Sequence, residues 1–359
     1  MSHHPVSRRA VLSAGLGAAI STALVTDSAS AEVAATGRTA APTGAPPVWW
    51  DIPVPDVSRA GELGDIAASG PRDVWTAGFD GGGPCMFHWN GWDWTRYSTP
   101  ALYYMVAVSG RRRAWGMGGS NLAGVWDGAT WHAVDYPPDT YPPLRLAAAP
   151  HATAWAIADH YKYSGYTVMR FERGAWVPQT VPLPIWAEPQ VLAVRTNRDV
   201  WLSGRNRDRT YTLRWNGAEW TDIPLAEPDT SLGISQILPV SAHLAWAWRL
   251  DGVMPGRHTL LRWTGGAWED IPVPEWYCAK AGMADDGRGG IWLGSDMSQG
   301  RTSYLHYRDG VWTSSQGVER LAPDQWLGVW KMLRLPGTRT IWTFGLSPHP
   351  FIEELRHAG

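Results

Sequence analysis

Lys280, Asp65 and Arg145 are the residues whose types and positions could carry proton chemistry. Counted back from a tryptophan that recurs along the chain, Asp65 and Arg145 stand at the tenth position and Lys280 at the twelfth. These positions belong to strands expected to face a common centre. A lysine close to another cation has a lowered pKa and can act as a base or an imine-forming amine. Asp65 would supply the carboxylate across from it. A second group suits binding instead of turnover: Tyr103, Tyr141, Trp186, Trp276, Trp326 and Trp330, with Arg207 and Gln236 beside them. Aromatic rings that stack on apolar faces, next to groups that bond hydroxyls, are the chemistry of a carbohydrate or small-molecule site. Metal chemistry finds no support, because the 11 histidines are scattered and no two fall at ligand spacing on one strand. No nucleophile-elbow motif is present, and no cofactor is expected.

The elements that position these residues come from a repeat. The chain holds 25 tryptophans in 359 residues, and most recur in register. One pattern is an apolar triplet ending in Trp, a polar loop, a strand ending in Trp-Asn-Gly or a relative, then Trp-x-x-Ile-Pro. Two clear copies contain Asp199-Val200-Trp201 with Trp220-Thr221-Asp222-Ile223-Pro224, and Leu244-Ala245-Trp246 with Trp268-Glu269-Asp270-Ile271-Pro272. The first Trp of each copy falls at 75, 115, 155, 201, 246, 292 and 342, spacings that suit one four-stranded propeller blade. Asn-Gly, Asp-Gly, Arg-Gly and Gly-Gly pairs mark the tight turns that follow the third strands, where Gly supplies positive φ. Nine residues before each marker stands Ile66, Val106, Leu146, Leu192, Ile237, Met283 or Leu333, apolar in all seven. Ten before stands Asp65, Met105, Arg145, Val191, Gln236, Gly282 or Met332, expected to face a central channel.

Closure follows from the two ends. The seventh copy lacks a Trp-x-x-Ile-Pro strand, while Trp50-Asp51-Ile52-Pro53-Val54-Pro55 is an orphan fourth strand resembling Glu269–Pro274. The reading is an all-β, seven-bladed β-propeller with four antiparallel strands per blade, its last blade closed three-plus-one by the N-terminal strand. Trp50 is taken as the marker of that strand, and Trp49 as lying outside the repeat. Residues 1–31 read as a twin-arginine signal peptide, with Ser7-Arg8-Arg9 before an apolar run and Ala29-Ser30-Ala31 at the cleavage site. Residues 32–47 read as a disordered Ala/Thr/Pro linker, and 48–359 as the propeller. Export is expected to leave a secreted protein without a membrane anchor.

On these residues the chain resembles secreted Trp-repeat β-propellers, with a more distant likeness to kelch-type and lectin propellers. No WD-repeat Gly-His signature or Asp box is present, so no family's functional residues carry over. The formal net charge of −2 gives no footprint for nucleic acid. Cys85 and Cys278 fall in blades one and six and are expected not to bridge. The function expected is binding of a glycan or other small molecule by a monomer at the loop-rich face. The alternatives are an enzyme (lyase, isomerase or hydrolase) at the channel mouth and a protein-interaction scaffold at the cell surface.

Overall fold

The computed structural model describes residues 47–57, 61–160, 165–207, 209–225, 233–250, 258–274, 282–295, 298–322, 325–347 and 349–356. They belong to one compact unit, Ala40–Gly359; the signal peptide and nearly all of the linker read from the sequence lie outside them. No helix among the described residues is long and apolar enough to cross a membrane.

Every described element is a strand, and the strands form seven antiparallel sheets. Blade one consists of Glu62–Gly70, Asp73–Asp80, Gly83–Trp89 and Trp94–Ser98, in chain order from the inside out. Blades two to six repeat this plan, with inner strands Met105–Gly110, Thr140–Ala147, Glu188–Thr196, Gly233–Pro239 and Gly282–Asp285. Blade seven takes Trp326–Arg334, Ile341–Ser347 and His349–Arg356 from the C-terminal end and Val48–Ile52 from the N-terminal end. The expected three-plus-one closure is therefore present, with Val48 opposite Arg356 and Ile52 opposite Ile352. One addition was not foreseen: Ser298–Gln299, from a blade-six loop, pairs with the inner edge of Trp326–Arg334. It covers part of an otherwise open strand edge.

The hairpins before the fourth strands explain the Asn-Gly and Asp-Gly pairs. Gly91, Gly128 and Gly217 adopt φ of 108°, 103° and 104°, angles that disfavour a side chain. The Asn90, Asp127 and Asn216 side chains each accept two backbone N–H bonds within the turn.

The core is seven separate clusters, each shared by two neighbouring blades. Each hairpin places a third-strand aromatic opposite the fourth-strand tryptophan, as Trp126 opposite Trp131 and Trp263 opposite Trp268. The marker tryptophan of the preceding blade inserts against that pair. Trp75 lies 5.0 Å from Trp126 and 5.3 Å from Trp131, and Trp201 lies 5.8 Å from Trp263 and 5.6 Å from Trp268. The ring closes by the same rule, since Trp342 of blade seven lies 5.8 Å from Trp89 of blade one.

At the closing strand the structure corrects the sequence reading. Trp49, not Trp50, fills the inter-blade position: it is 5% exposed, stacks on Tyr304 at 3.8 Å and meets Trp292 edge-on at 5.8 Å. Trp50 is 53% exposed. Counting three back from Ile52-Pro53 selects Trp49, as it selects Trp268 from Ile271-Pro272. A one-residue slip exchanges the two faces of a strand. A second slip affects the inner ring. Leu333, nine before its marker, pairs with Trp342, whereas in blade one it is Ala67, eight before, that pairs with Trp75. Blade seven carries one extra residue, so Lys331 occupies the ring position assigned to Met332, which is buried between blades six and seven.

Candidate functional site

Antiparallel alternation sends the connections between blades and the loops between second and third strands to one face. This face holds four of the exposed aromatics expected at the site, while Trp92 and Trp50, also exposed, lie on an outer hairpin of the opposite face and on an outer strand. Trp186 is 58% exposed, Trp326 57%, Trp330 42% and Tyr141 42%. They sit on blades three, four and seven, so they approach the mouth from different sides. Tyr104, Leu144 and Ile185 are also exposed there and were not among the predicted residues.

Trp186 is the most unusual of these. It lies in a turn closed by the Ala187 N–H donating to Pro184 O at 3.1 Å, with φ of 62°. Left-handed backbone costs a non-glycine residue about 1–2 kcal/mol. Arg207 reaches over the ring, its guanidinium carbon 4.2 Å from the centroid, as a cation–π partner does. Two residues predicted from separate loops are thus brought together. Trp330 occupies an irregularity between Val329 and Lys331 on the inner strand and meets Phe344 edge-on at 6.2 Å. Gln236 is half-buried on the inner strand of blade five, next to a register shift. Trp276 and Lys280 lie outside the described residues.

Tyr103 does not belong to this face. It is fully buried in the cluster between blades one and two, where burial pushes its hydroxyl up to about 12. Its neighbour Tyr104 points outward instead.

Asp65 and Arg145 do lie on the inner strands, but their polar atoms are engaged between blades. Asp65 accepts from Lys331 Nζ at 2.6 Å and from the Val106 N–H at 3.0 Å, so it ties blade seven to blade one and blade one to blade two. Arg145 donates to Gln190 O at 2.6 Å, joining blade three to blade four. These contacts satisfy inner-strand edges that a flat sheet would pair with another strand. Among the described residues, no group of three His, Cys, Asp or Glu is placed to hold a metal ion. Cys85 is buried, and its thiol is pushed up to about 11 by burial and then by Asp80; Cys278 lies outside the described residues.

Serine, histidine and aspartate do meet in blade one, in an order that rules out a relay. His88 Nε2 bonds Asp73 Oδ1 at 2.9 Å, and Ser69 donates to the other oxygen of the same carboxylate. The histidine therefore never faces the serine, as nucleophile activation requires. Its ring lies 4.5 Å from Trp75, whose indole N–H also reaches Asp73 at 3.1 Å. Blade six repeats the device with Asp286, His306 and Arg308 around Trp292. Burial alone would raise the Asp73 and Asp286 carboxyls. Bonds from His88 and Ser69, and from His306 and Arg308, hold them below the ordinary value near 3.8. A depressed folded pKa gives stability that is present above the unfolded pKa and lost as pH falls through the folded one. The melting-temperature gap between the native protein and Asp73→Asn is therefore expected to hold above about pH 4 and to narrow below it. Melts by circular dichroism from pH 7 to pH 2.5 measure this; a gap that widens toward acid contradicts it.

A cleft of about 330 Å³ opens on the same loop-bearing face between blades six and seven, lined by Asp51, Ile52, Val54, Arg320 and Phe351. Arg320 lies over Phe351 at 4.2 Å and pairs with Asp51 and Glu353.

No protein-family model matches the chain, and no curated protein does. Solved structures match in fold. A structure described as YCF48 bound to D1 peptide aligns with a TM-score of 0.59 at 14% identity, covering 86% of this chain and 97% of that one. YCF48 from Cyanidioschyzon merolae gives 0.55 at 14%, covering 86% and 98%. The β-propeller domain of Myceliophteria thermophila Cps50 (Swd1) gives 0.56 at 10%, covering 87% and 100%. At such identities the likeness concerns architecture, and it agrees with the strand order: the chain is a seven-bladed β-propeller.

Proposed function

We propose that the protein is an exported, monomeric binding propeller whose loop-bearing face takes a carbohydrate or another hydroxylated small molecule, in the manner of a lectin. The observation that carries this reading is Trp186, an exposed indole in a costly left-handed turn beneath Arg207. More than half of the side chain meets solvent, and strain of this kind gathers at ligand sites. Trp326 and Trp330 present further ring faces from blade seven. Export by way of residues 1–31, with cleavage near Ala31, is part of the same proposal.

The enzyme alternative loses support, because Asp65 and Arg145 are engaged in blade-to-blade contacts. A peptide ligand is the competing possibility, since one propeller of similar fold was solved with a peptide. Glycan and peptide arrays followed by calorimetry separate the two. Trp186→Ala and Trp326→Ala are each expected to weaken glycan binding about three- to tenfold with unchanged melting temperature. Glycan affinity untouched by both substitutions, or binding confined to the peptide array, would overturn the reading.

A further inference from the structure

The face opposite the aromatic mouth carries the turns that join each inner strand to the second strand of its blade. All seven inner strands run the same way round the ring, so these seven turns gather at one end of the axis. Their charge is one-sided. Arg72, Arg111–Arg113, Arg198, Arg288 and Arg339 are exposed there, and the two turns without arginine carry exposed His151 and His243. None of these arginines has an ion-pair partner among the described residues. This occurs in a chain whose formal net charge is −2.

The carboxylates beside these turns do not neutralise the crown. Asp73, Asp199, Asp285 and Asp286 are buried and already bonded to His88, Arg214, Arg334 and Arg308 respectively. Neighbouring turns also adjoin directly. His151 N–H donates to Ser109 O at 2.9 Å, Thr153 N–H to Asn197 Oδ1 at 2.8 Å, and Arg214 to Ala242 O at 3.0 Å. These bonds link the turns of blades two to five into one belt. The arginine stems are seated as well: a Cβ at Gly91, Gly128 or Gly217 would come within 2.6, 3.0 and 2.7 Å of the Cγ of Arg72, Arg112 and Arg198. The hairpin glycines thus leave room for aliphatic stems, and the guanidinium groups reach water.

From this we infer a second binding surface: the turn face takes a linear polyanionic carbohydrate chain, one bearing carboxylate, sulfate or phosphate groups. Arginine's planar fork suits such oxyanions, and unpaired cations of one sign concentrate a polyanion by counter-ion release. A flat anionic surface fits less well. The outer hairpins of the same face expose Asp93, Asp127, Glu219 and Asp309, so a bilayer laid across the whole face would meet all four acids together with the crown, whereas a narrow chain need not cover them all.

The test uses the purified full chain with heparin as sulfated probe, polygalacturonate as carboxylated probe, and phosphatidylglycerol vesicles. Binding to at least one polymer is expected, weakening about tenfold or more between about 50 and 200 mM salt. Arg112→Glu with Arg198→Glu should abolish it at unchanged melting temperature. Arg72→Gln with Arg339→Gln, a milder change, should weaken it at least about threefold, which covers the case in which charge reversal disturbs folding. Trp186→Ala with Trp326→Ala should leave it intact, which separates this surface from the mouth. No salt-sensitive binding to either polymer, or binding that survives both arginine variants, overturns the inference. Equal arginine-dependent binding to the vesicles would overturn the assignment to a carbohydrate chain.

Discussion

Trp49→Ala is expected to lower stability by about 3–5 kcal/mol, while Trp50→Ala next to it changes stability by under about 1 kcal/mol. The two residues share a type, a strand and a position after the linker; only their faces differ. Trp49 stacks on Tyr304 and meets Trp292, both from blade six, and its strand partner is Leu355 of blade seven. It does for the last inter-blade core what Trp131 and Trp268 do for others. Removing it opens a cavity at the one blade whose strands come from both ends of the chain. Local loosening there frees Val48–Ile52 from the sheet edge and exposes the seam. Urea unfolding followed by far-ultraviolet circular dichroism measures both variants. Equal destabilisation by the two would mean that closure does not depend on this seam.

That pair of tryptophans also shows how far the fold could be read in advance. Blade number, strand order and three-plus-one closure were legible, because each rests on a local pattern repeated many times. The errors came where one residue of register decides a face. Trp50 stands directly before Asp51-Ile52-Pro53 and so imitates the marker, although the spacing Trp-x-x-Ile-Pro selects Trp49. Tyr103 and Tyr104 pose the same choice: both fall in one connection, and only Tyr104 faces outward. Lys331 is hidden from a gapless count because the extra residue of blade seven moves its inner strand by one position.

The candidate site was less legible than the fold for a different reason. Its polar contacts join residues far apart in sequence. Asp65 and Lys331 are 266 residues apart and meet only because blade seven sits beside blade one. Composition shows neither that nearness nor that the carboxylate also holds the Val106 N–H. Trp186 and Arg207 could be named singly, from a connection and a loop, but their stacking depends on where blade four sets both segments. The arginine crown lay open in the sequence, three residues before the marker at Arg72, Arg112, Arg198 and Arg339. Only the strand directions bring these turns to one end of the axis, so spacing alone does not reveal the crown.

Glu353→Ala is expected to destabilise the protein by about 3–5 kcal/mol, the cost of breaking a buried, hydrogen-bonded charge. Glu353 is fully buried on the third strand of blade seven. It accepts from Thr302 Oγ1 at 2.7 Å, Tyr304 Oη at 2.6 Å, the Val318 N–H at 3.1 Å and Arg320 at 3.0 Å. All four donors come from the outer strands of blade six or the segment leaving them, so one carboxylate fastens that blade to the closing one. Tyr304 stays a donor throughout the neutral range, since burial and then the neighbouring Glu353 push its hydroxyl well above the ordinary value. Alanine would take the carboxylate acceptor from the Thr302 and Tyr304 hydroxyls and leave Arg320 with Asp51, a half-exposed partner. Glu353→Gln keeps the shape but turns an amide N–H₂ toward donors, so it should fall between alanine and the native protein. Tyr304 belongs both to this network and to the stack on Trp49. Glu353→Ala and Trp49→Ala should therefore be non-additive, the double variant losing at least about 1 kcal/mol less than the sum of the singles. Guanidinium unfolding of the four proteins closes the cycle. Additivity within about 0.3 kcal/mol would mean that carboxylate and indole fasten the seam independently, against the shared position of Tyr304.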